Sequence, residues 1–272
     1  MSQFQILSFP NDDALVAAAA AAWLDAIAST TATGRDFTVA LSGGRVMRKL
    51  LVAAGSMAAA RAMDFKQVQF FWADERGVPP DDPESNFRLA HEALLLPAAV
   101  PENQIHRLRG ELAPAAAAQE ATRELLQVCS CATGEMPTLD LVLLGMGEDG
   151  HVASLFPDDA VGTANLTAVF LPVFDAPKPP PQRISLGHGP LAAARALWVL
   201  ASGRANRPRF ATRWPPQAPV PWRKSSSGVR QPQFSRTLLI SELLFLEILQ
   251  LSEMRPNSSF LRREDNDNFA AL

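Results

Sequence analysis

Runs of strand length that are apolar at nearly every position, rather than at alternate ones, constrain this chain most. They lie at Phe37–Leu41, Val68–Trp72 and residues 139–144, 168–173 and 196–201. A strand with one wet face alternates polar and apolar residues. One that is apolar on both faces needs cover on both, as in a parallel sheet flanked by helices. Between the runs, helical patterns fall near residues 46–53, 85–96 and 113–131. The expected fold class is therefore α/β: a Rossmann-like, mostly parallel sheet with helices on both faces. Residues 4–8 read as a first strand. Pro10, Asn11 and Asp12 then open an alanine-rich helix to about residue 29, with Asn11 or Asp12 as N-cap and Leu15, Val16, Trp23, Leu24 and Ile27 on its apolar face.

Ligand sites in open α/β sheets lie at the carboxyl ends of the strands, and three of these runs end in unusual turns. Residues 141–157 read LVLLGMGEDGHVASLFP, a strand entering a glycine-rich turn that ends on Asp149-Gly150-His151. A histidine can accept a proton near neutral pH, and an aspartate two residues earlier can orient it. In isolation the same pattern suits a histidine that only caps or packs. Phe37–Leu41 stops at Ser42-Gly43-Gly44, whose exposed amides and following helix N-terminus form an anion cradle. Val68–Trp72 leads into Ala73-Asp74-Glu75-Arg76-Gly77, with Ser85-Asn86-Phe87-Arg88 opening the next helix. A charge run is usually a solvated loop, but three such turns at successive strand ends argue for one shared crevice.

The stretches ALSGG, FFWADERGVPPDDPESNFRLA and LVLLGMGEDGHVASLFP, in this order and at these intervals, resemble the 6-phosphogluconolactonase family. The wider group includes the glucosamine-6-phosphate isomerase/deaminases, which share the fold. The resemblance covers roughly residues 5–203. It implies hydrolysis of 6-phosphogluconolactone to 6-phosphogluconate in the oxidative pentose phosphate route, with no metal and no organic cofactor.

Within the group the last motif discriminates. A deaminase is expected to continue from its histidine to Ala-Phe-Asn-Glu-Pro, the glutamate supporting the histidine. Here His151 is followed by Val152-Ala153-Ser154-Leu155-Phe156-Pro157, so Phe156 stands at the glutamate position. The acidic motif reads Asp-Glu-Arg where a deaminase has Asp-Glu-Tyr, and the chain contains no tyrosine. An aldose–ketose conversion needs that extra relay; a lactone, already an activated ester, needs one base and charge stabilisation.

The resemblance also implies roles. His151 is the general base and Asp149 its partner, or else a carboxylate that shapes the turn. The substrate's phosphate falls to Ser42, Gly43, Gly44 and Arg76, with Asp74 ordering the loop around Arg76. Gly147 and the other amides of the 145–150 turn are candidates for the oxyanion. Arg183 resembles a second phosphate-side arginine, though an ordinary loop arginine would read the same. His91 and His106 read as structural or solvated. His188 stands where a small threonine-like residue is expected.

Composition narrows the setting. A net charge of −3 over 272 residues gives no electrostatic case for nucleic acid. Cys129 and Cys131, the only cysteines, lie on the last part of the 113–131 helix and read as idle thiols. With no disulfide framework, no signal peptide and no apolar run of transmembrane length, a cytoplasmic protein without membrane partners is expected, as monomer or homodimer, acting on a small phosphosugar lactone.

After residue 203 the pattern breaks. Residues 1–203 read as one lactonase-like domain, 204–236 as an atypical segment and 237–272 as an apolar helix with a polar tail, packing on the same domain. The resemblance implies a lysine that meets the phosphate near Asn206, with Arg204 or Arg207 as the candidate substitute. Residues 204–236 carry eight basic residues, no acid, six prolines and two tryptophans. A basic linker or arm, a disordered insertion, or a changed reading frame would each explain them; the simultaneous loss of the expected helix and lysine speaks for the last. Residues 237–254 (TLLISELLFLEILQLSEM) have a leucine density beyond one amphipathic face and need packing or a partner.

Overall fold

The computed structural model describes residues 7, 9–147, 149–156, 165–201 and 270–271. Most of the expected first strand at residues 4–8 lies outside these, as do residues 204–236 and the helix expected at 237–254. The main sheet is parallel, in the order β2 (Val68–Trp72), β1 (Phe37–Leu41), β4 (Leu141–Gly145), β7 (Ala196–Leu200) and the two-residue β8 (Ala270–Ala271). All five residues of β1 are buried, and the strand is central, paired along one edge with β2 and along the other with β4. The chain runs from β1 to β2 on one side and only later to β4 on the other. The crevice at the carboxyl ends of β1 and β4 is thus the topological switch point of the sheet, where such folds bind ligands.

Helix α1 (Asp12–Thr31) starts where Asn11 Oδ1 accepts the Ala14 N–H at 2.8 Å and packs on α2 (Arg45–Ala60). Trp23, Leu24 and Ile27 are buried, and removing each such side chain from water contributes about 1.5–3 kcal/mol. One expectation needs correcting. By length and composition α1 is apolar enough to cross a membrane, since alanine fills the positions around its buried stripe. That stripe is buried against the rest of the domain.

A second, antiparallel sheet was not foreseen. It is built from β3 (Asp74–Arg76), β6 (Arg183–Leu186) and β5 (Phe170–Val173), in that order. The acidic motif and the Arg183 stretch, read from sequence as loops, are its strands. Their charged residues are buried by specific partners rather than by apolar character, so periodicity does not reveal them. Helix α4 (Pro114–Val128) packs on this hairpin. It stops before the cysteines: Cys129 is its C-cap and Ser130 has φ +52°. Burial, with Cys131 close by, pushes the Cys129 thiol up to about 12. Helix α3 (Asn86–Ala90) passes into a π-helical turn at His91–Leu95, in place of one continuous helix. A short α5 (His188–Ala193) precedes β7.

At the amino-terminal edge of the sheet, buried Asp140 ties β1 to β4. Its carboxylate accepts both Arg35 Nη1 and Nη2 at 2.8 Å, Thr38 N–H at 2.9 Å and Thr38 Oγ1 at 3.0 Å. This fixes the two strands whose opposite ends carry the candidate site.

Candidate active site

The first wall of the crevice is the turn after β1. Buried Ser42 accepts the Gly145 N–H on its Oγ at 3.0 Å, which locks the ends of β1 and β4 together. A Cβ on Gly43 would lie 1.9 Å from Asn86 Oδ1, so the turn must be glycine to approach the acidic loop. Gly44, with φ +102°, caps α2 and leaves the amides of the helix's first turn for an anion.

The second wall is β3. The Glu75 carboxylate accepts the N–H groups of Arg76, Asn86 and Phe87, each at 2.7 Å, and the Ser85 hydroxyl at 3.1 Å. Burial nevertheless outweighs those donors and pushes Glu75 up to about 7. Asp74, also buried, accepts the Ser154 hydroxyl at 2.8 Å and Asn86 Nδ2 at 3.2 Å. It therefore links the acidic loop to the histidine turn. Arg76 pairs with Arg183 in the β3–β6 register. Arg76 meets Glu84 at 3.3 Å, and its buried Nε has no hydrogen-bond partner among the described residues. The charge of Arg76 acts unfavourably on that of Arg183, a repulsion that an anion nearby would relieve.

The third wall is the turn after β4. Gly147 N–H donates to the His151 carbonyl at 2.9 Å, and Gly150 N–H to the Gly147 carbonyl at 2.9 Å. A Cβ on Gly147 would lie 2.3 Å from the His151 ring, and Gly150 has φ +92°. Only glycine fits these two positions without strain. His151 Nδ1 lies 2.5 Å from Asp149 Oδ1, whereas the His151 N–H contact to the same oxygen is long, at 3.4 Å. Of the two contacts Asp149 Oδ1 makes to His151, the one to the ring is thus the closer. Burial alone would raise the Asp149 carboxyl; the hydrogen bond and charge of His151, with Lys178, more than offset it and hold it below its ordinary value. An ionised Asp149 can only accept a hydrogen bond, so the contact makes Nδ1–H of His151 the donor and leaves Nε2 as the acceptor. The Phe156 ring packs against His151 with centroids 4.7 Å apart.

Arg183 sits 5.8 Å above the Phe156 ring. Burial, and then the neighbouring Arg76, lower its proton affinity. The structure therefore gathers Ser42, Gly43, Gly44, Asp74, Arg76, Gly147, Asp149, His151 and Arg183 around one sheet end. His106 is held apart by Glu124 at 2.7 Å and Gln69 at 2.8 Å. His91 lies against Phe87, and His188 is buried at the start of α5. Arg204, Asn206 and Arg207 lie outside the described residues.

Sequence reading missed Ser154, Asn86 and Lys178. Ser154 and Asn86 fall inside the quoted motifs, but nothing in the sequence pairs them with Asp74 across the chain. Lys178, a lone lysine in a proline-rich loop, carries no signal at all; its Nζ lies 3.5 Å from Asp149 Oδ2. Among the described residues, no group of three or more His, Cys, Asp or Glu side chains is placed to hold a metal ion.

Comparison with known proteins agrees with this architecture. Residues 10–232 match the family described as glucosamine-6-phosphate isomerases/6-phosphogluconolactonase, a match that runs past Gly203 into the basic, proline-rich stretch. The 6-phosphogluconolactonase of Mycobacterium tuberculosis is 37% identical over 203 residues, covering 72% of this chain and 79% of that protein. That of Streptomyces coelicolor is 35% identical over 208 residues, covering 73% and 78%. Among solved structures, the devB protein superposes with a TM-score of 0.68 at 31% identity, covering 78% of this chain and 85% of that one. A monomeric glucosamine-6-phosphate deaminase, at 16% identity and a TM-score of 0.64 over 77% and 86% of the two chains, shares the fold.

Proposed function

This chain belongs to the glucosamine-6-phosphate isomerase/6-phosphogluconolactonase family, and on that footing we propose that it hydrolyses 6-phospho-D-glucono-1,5-lactone to 6-phosphogluconate, the lactone-opening step of the oxidative pentose phosphate route. The observation that carries the proposal is the His151–Asp149 pair, 2.5 Å apart, across the switch-point crevice from the Ser42-Gly43-Gly44 turn and Arg76.

In this reading the substrate's phosphate rests on the amides of that turn and on Arg76. A water molecule attacks the lactone carbonyl, forming a bond from its oxygen to C1 while His151 Nε2 takes its proton. The N–H groups of Gly145, Gly147 and Gly150, expected from sequence to meet the oxyanion, are already taken by Ser42 Oγ and by the His151 and Gly147 carbonyls, so the tetrahedral oxyanion is left to other donors at the crevice. On collapse the bond from C1 to the ring oxygen breaks, and His151 returns the proton to that oxygen. A base of this kind contributes about 10²–10⁴-fold. Asp74 and Glu75 hold the β3 turn in shape and transfer no proton.

A deaminase reading is less well supported. Phe156 packs on the histidine where that chemistry would place a supporting glutamate, and an aromatic ring relays no proton. A binding protein without catalysis would show ligand-dependent thermal stabilisation without turnover. Arg76→Ala tests the phosphate assignment. It should raise KM for the lactone about tenfold or more, since a hydrogen-bonded charge contributes about 1.5–3 kcal/mol, with a smaller change in kcat. An unchanged KM would remove Arg76 from the phosphate site.

A further inference from the structure

The loop between β5 and β6, residues 174–182, is fastened to the site by the arginine that follows it. Ala176 N–H donates to the Pro181 carbonyl at 3.0 Å, closing the loop on itself. Arg183, 2% exposed, donates from Nε to the Pro180 carbonyl at 3.0 Å and from Nη2 to the Lys178 carbonyl at 2.7 Å. Two charge-assisted bonds from a buried side chain thus hold the loop backbone, one at Lys178 and one at Pro180. The Lys178 ammonium then meets Asp149 Oδ2 at 3.5 Å, while Asp149 Oδ1 holds the His151 ring. The carboxylate is a bridge, with the candidate base on one oxygen and a lysine on the other.

We propose that Lys178 is a positioning residue of this active site: by partly neutralising Asp149 from the β5–β6 loop, it lets His151 work as a free base at lower pH than Asp149 alone would allow. The inference rests on the reading of His151 as the base. An unscreened aspartate stabilises the imidazolium and keeps the base protonated. A cation on the far oxygen offsets that, while leaving the carboxylate ionised to orient the ring. The depressed proton affinity of Asp149, to which Lys178 contributes after the hydrogen bond and charge of His151 have overcome burial, agrees with this. Arg183 lies within electrostatic reach of Asp149 and is itself surrounded by Arg76, Asp74 and Glu84; among the described residues, Lys178 is the cation that touches Asp149. Its side chain is 51% exposed, so water screens the effect. Removing an exposed partner of this kind should shift the His151 titration upward by about 0.2–0.7 pH unit.

The test follows the His151 imidazole by NMR titration of the full chain, its signal assigned by loss in His151→Ala. Lys178→Ala should raise the midpoint by that amount, Lys178→Glu by about twice as much, and Lys178→Arg should stay near the parent. The acid limb of the lactonase pH profile should move in the same order. The loss of turnover in Lys178→Ala should then be about 1.5- to fourfold greater at pH 6 than at pH 8.5. A midpoint unmoved in both the alanine and glutamate variants would overturn the proposal. So would a KM rise equal at all pH values with no shift of the acid limb, because the lysine would then be a substrate ligand. If the parent chain shows no turnover above the spontaneous rate, the lactonase reading fails, while the imidazole titration still decides the role of Lys178.

Discussion

At Glu75 four donors converge on a carboxylate that is 2% exposed, and the balance between burial and those donors has a consequence for stability. Burial wins, so the folded protein keeps the Glu75 proton up to about pH 7, whereas an unfolded chain releases it near its ordinary value of 4.5. Between those values the folded state binds the extra proton. The contribution is therefore full below about pH 4.5 and is lost as pH rises to 7, amounting to about 3 kcal/mol. Glu75→Gln cannot titrate. Unfolding free energies measured from pH 4.5 to 7.5 should fall with pH more steeply in the parent than in the variant; parallel curves would contradict the assignment. The variant should also be less stable at every pH, because one amide oxygen replaces two carboxyl oxygens facing four donors. Asp149 behaves oppositely: its depressed proton affinity adds stability above the ordinary carboxylate range that is lost in acid.

Among the elements, Asp140 makes the most definite prediction. It holds the start of β1 through Thr38 and Arg35 and is itself buried before β4. Asp140→Asn replaces an acceptor for charged and backbone donors with a group that is half donor. It should cost about 2–4 kcal/mol in urea unfolding, and a change below about 0.5 kcal/mol would show the tie to be incidental. Strands β1, β2, β4 and β7 were legible in the sequence because burial on both faces makes nearly every position apolar; the run at 168–173 was also a strand, β5, but it lies in the antiparallel sheet and not in the parallel one. The asparagine cap of α1 was legible because its chemistry is local. Strands β3 and β6 were not: three or four residues long, they bury Asp74, Glu75, Arg183 and Ser185 through partners distant in sequence, and no periodicity encodes that. The site divided the same way. The glycine turns, Arg76 and the Asp149–His151 pair are contiguous motifs, whereas the Ser154–Asp74 and Lys178–Asp149 contacts arise only when β5 and β6 fold beside β3.

For the molecule as a whole, one core joins the parallel sheet, α1, α2 and the antiparallel hairpin, and the crevice takes a wall from each of β1, β3 and β4. Apart from β8, the described elements end at Leu200, and the family match extends to residue 232. The candidate base, its partner, the anion turn and both arginines thus all precede the basic stretch at 204–236. An active full chain would show that this stretch is compatible with catalysis. The central claim is that His151, oriented by Asp149, opens a phosphosugar lactone, and its most direct test is a rate. 6-Phosphogluconolactone hydrolysis by the purified full chain is measured against a blank without enzyme, because the lactone also opens spontaneously, and against a folded His151→Ala variant. The account predicts turnover well above the blank in the parent and a fall of about 10²-fold or more in the variant. Hydrolysis no faster than the blank from a folded parent, or a rate that survives loss of the imidazole, would contradict it.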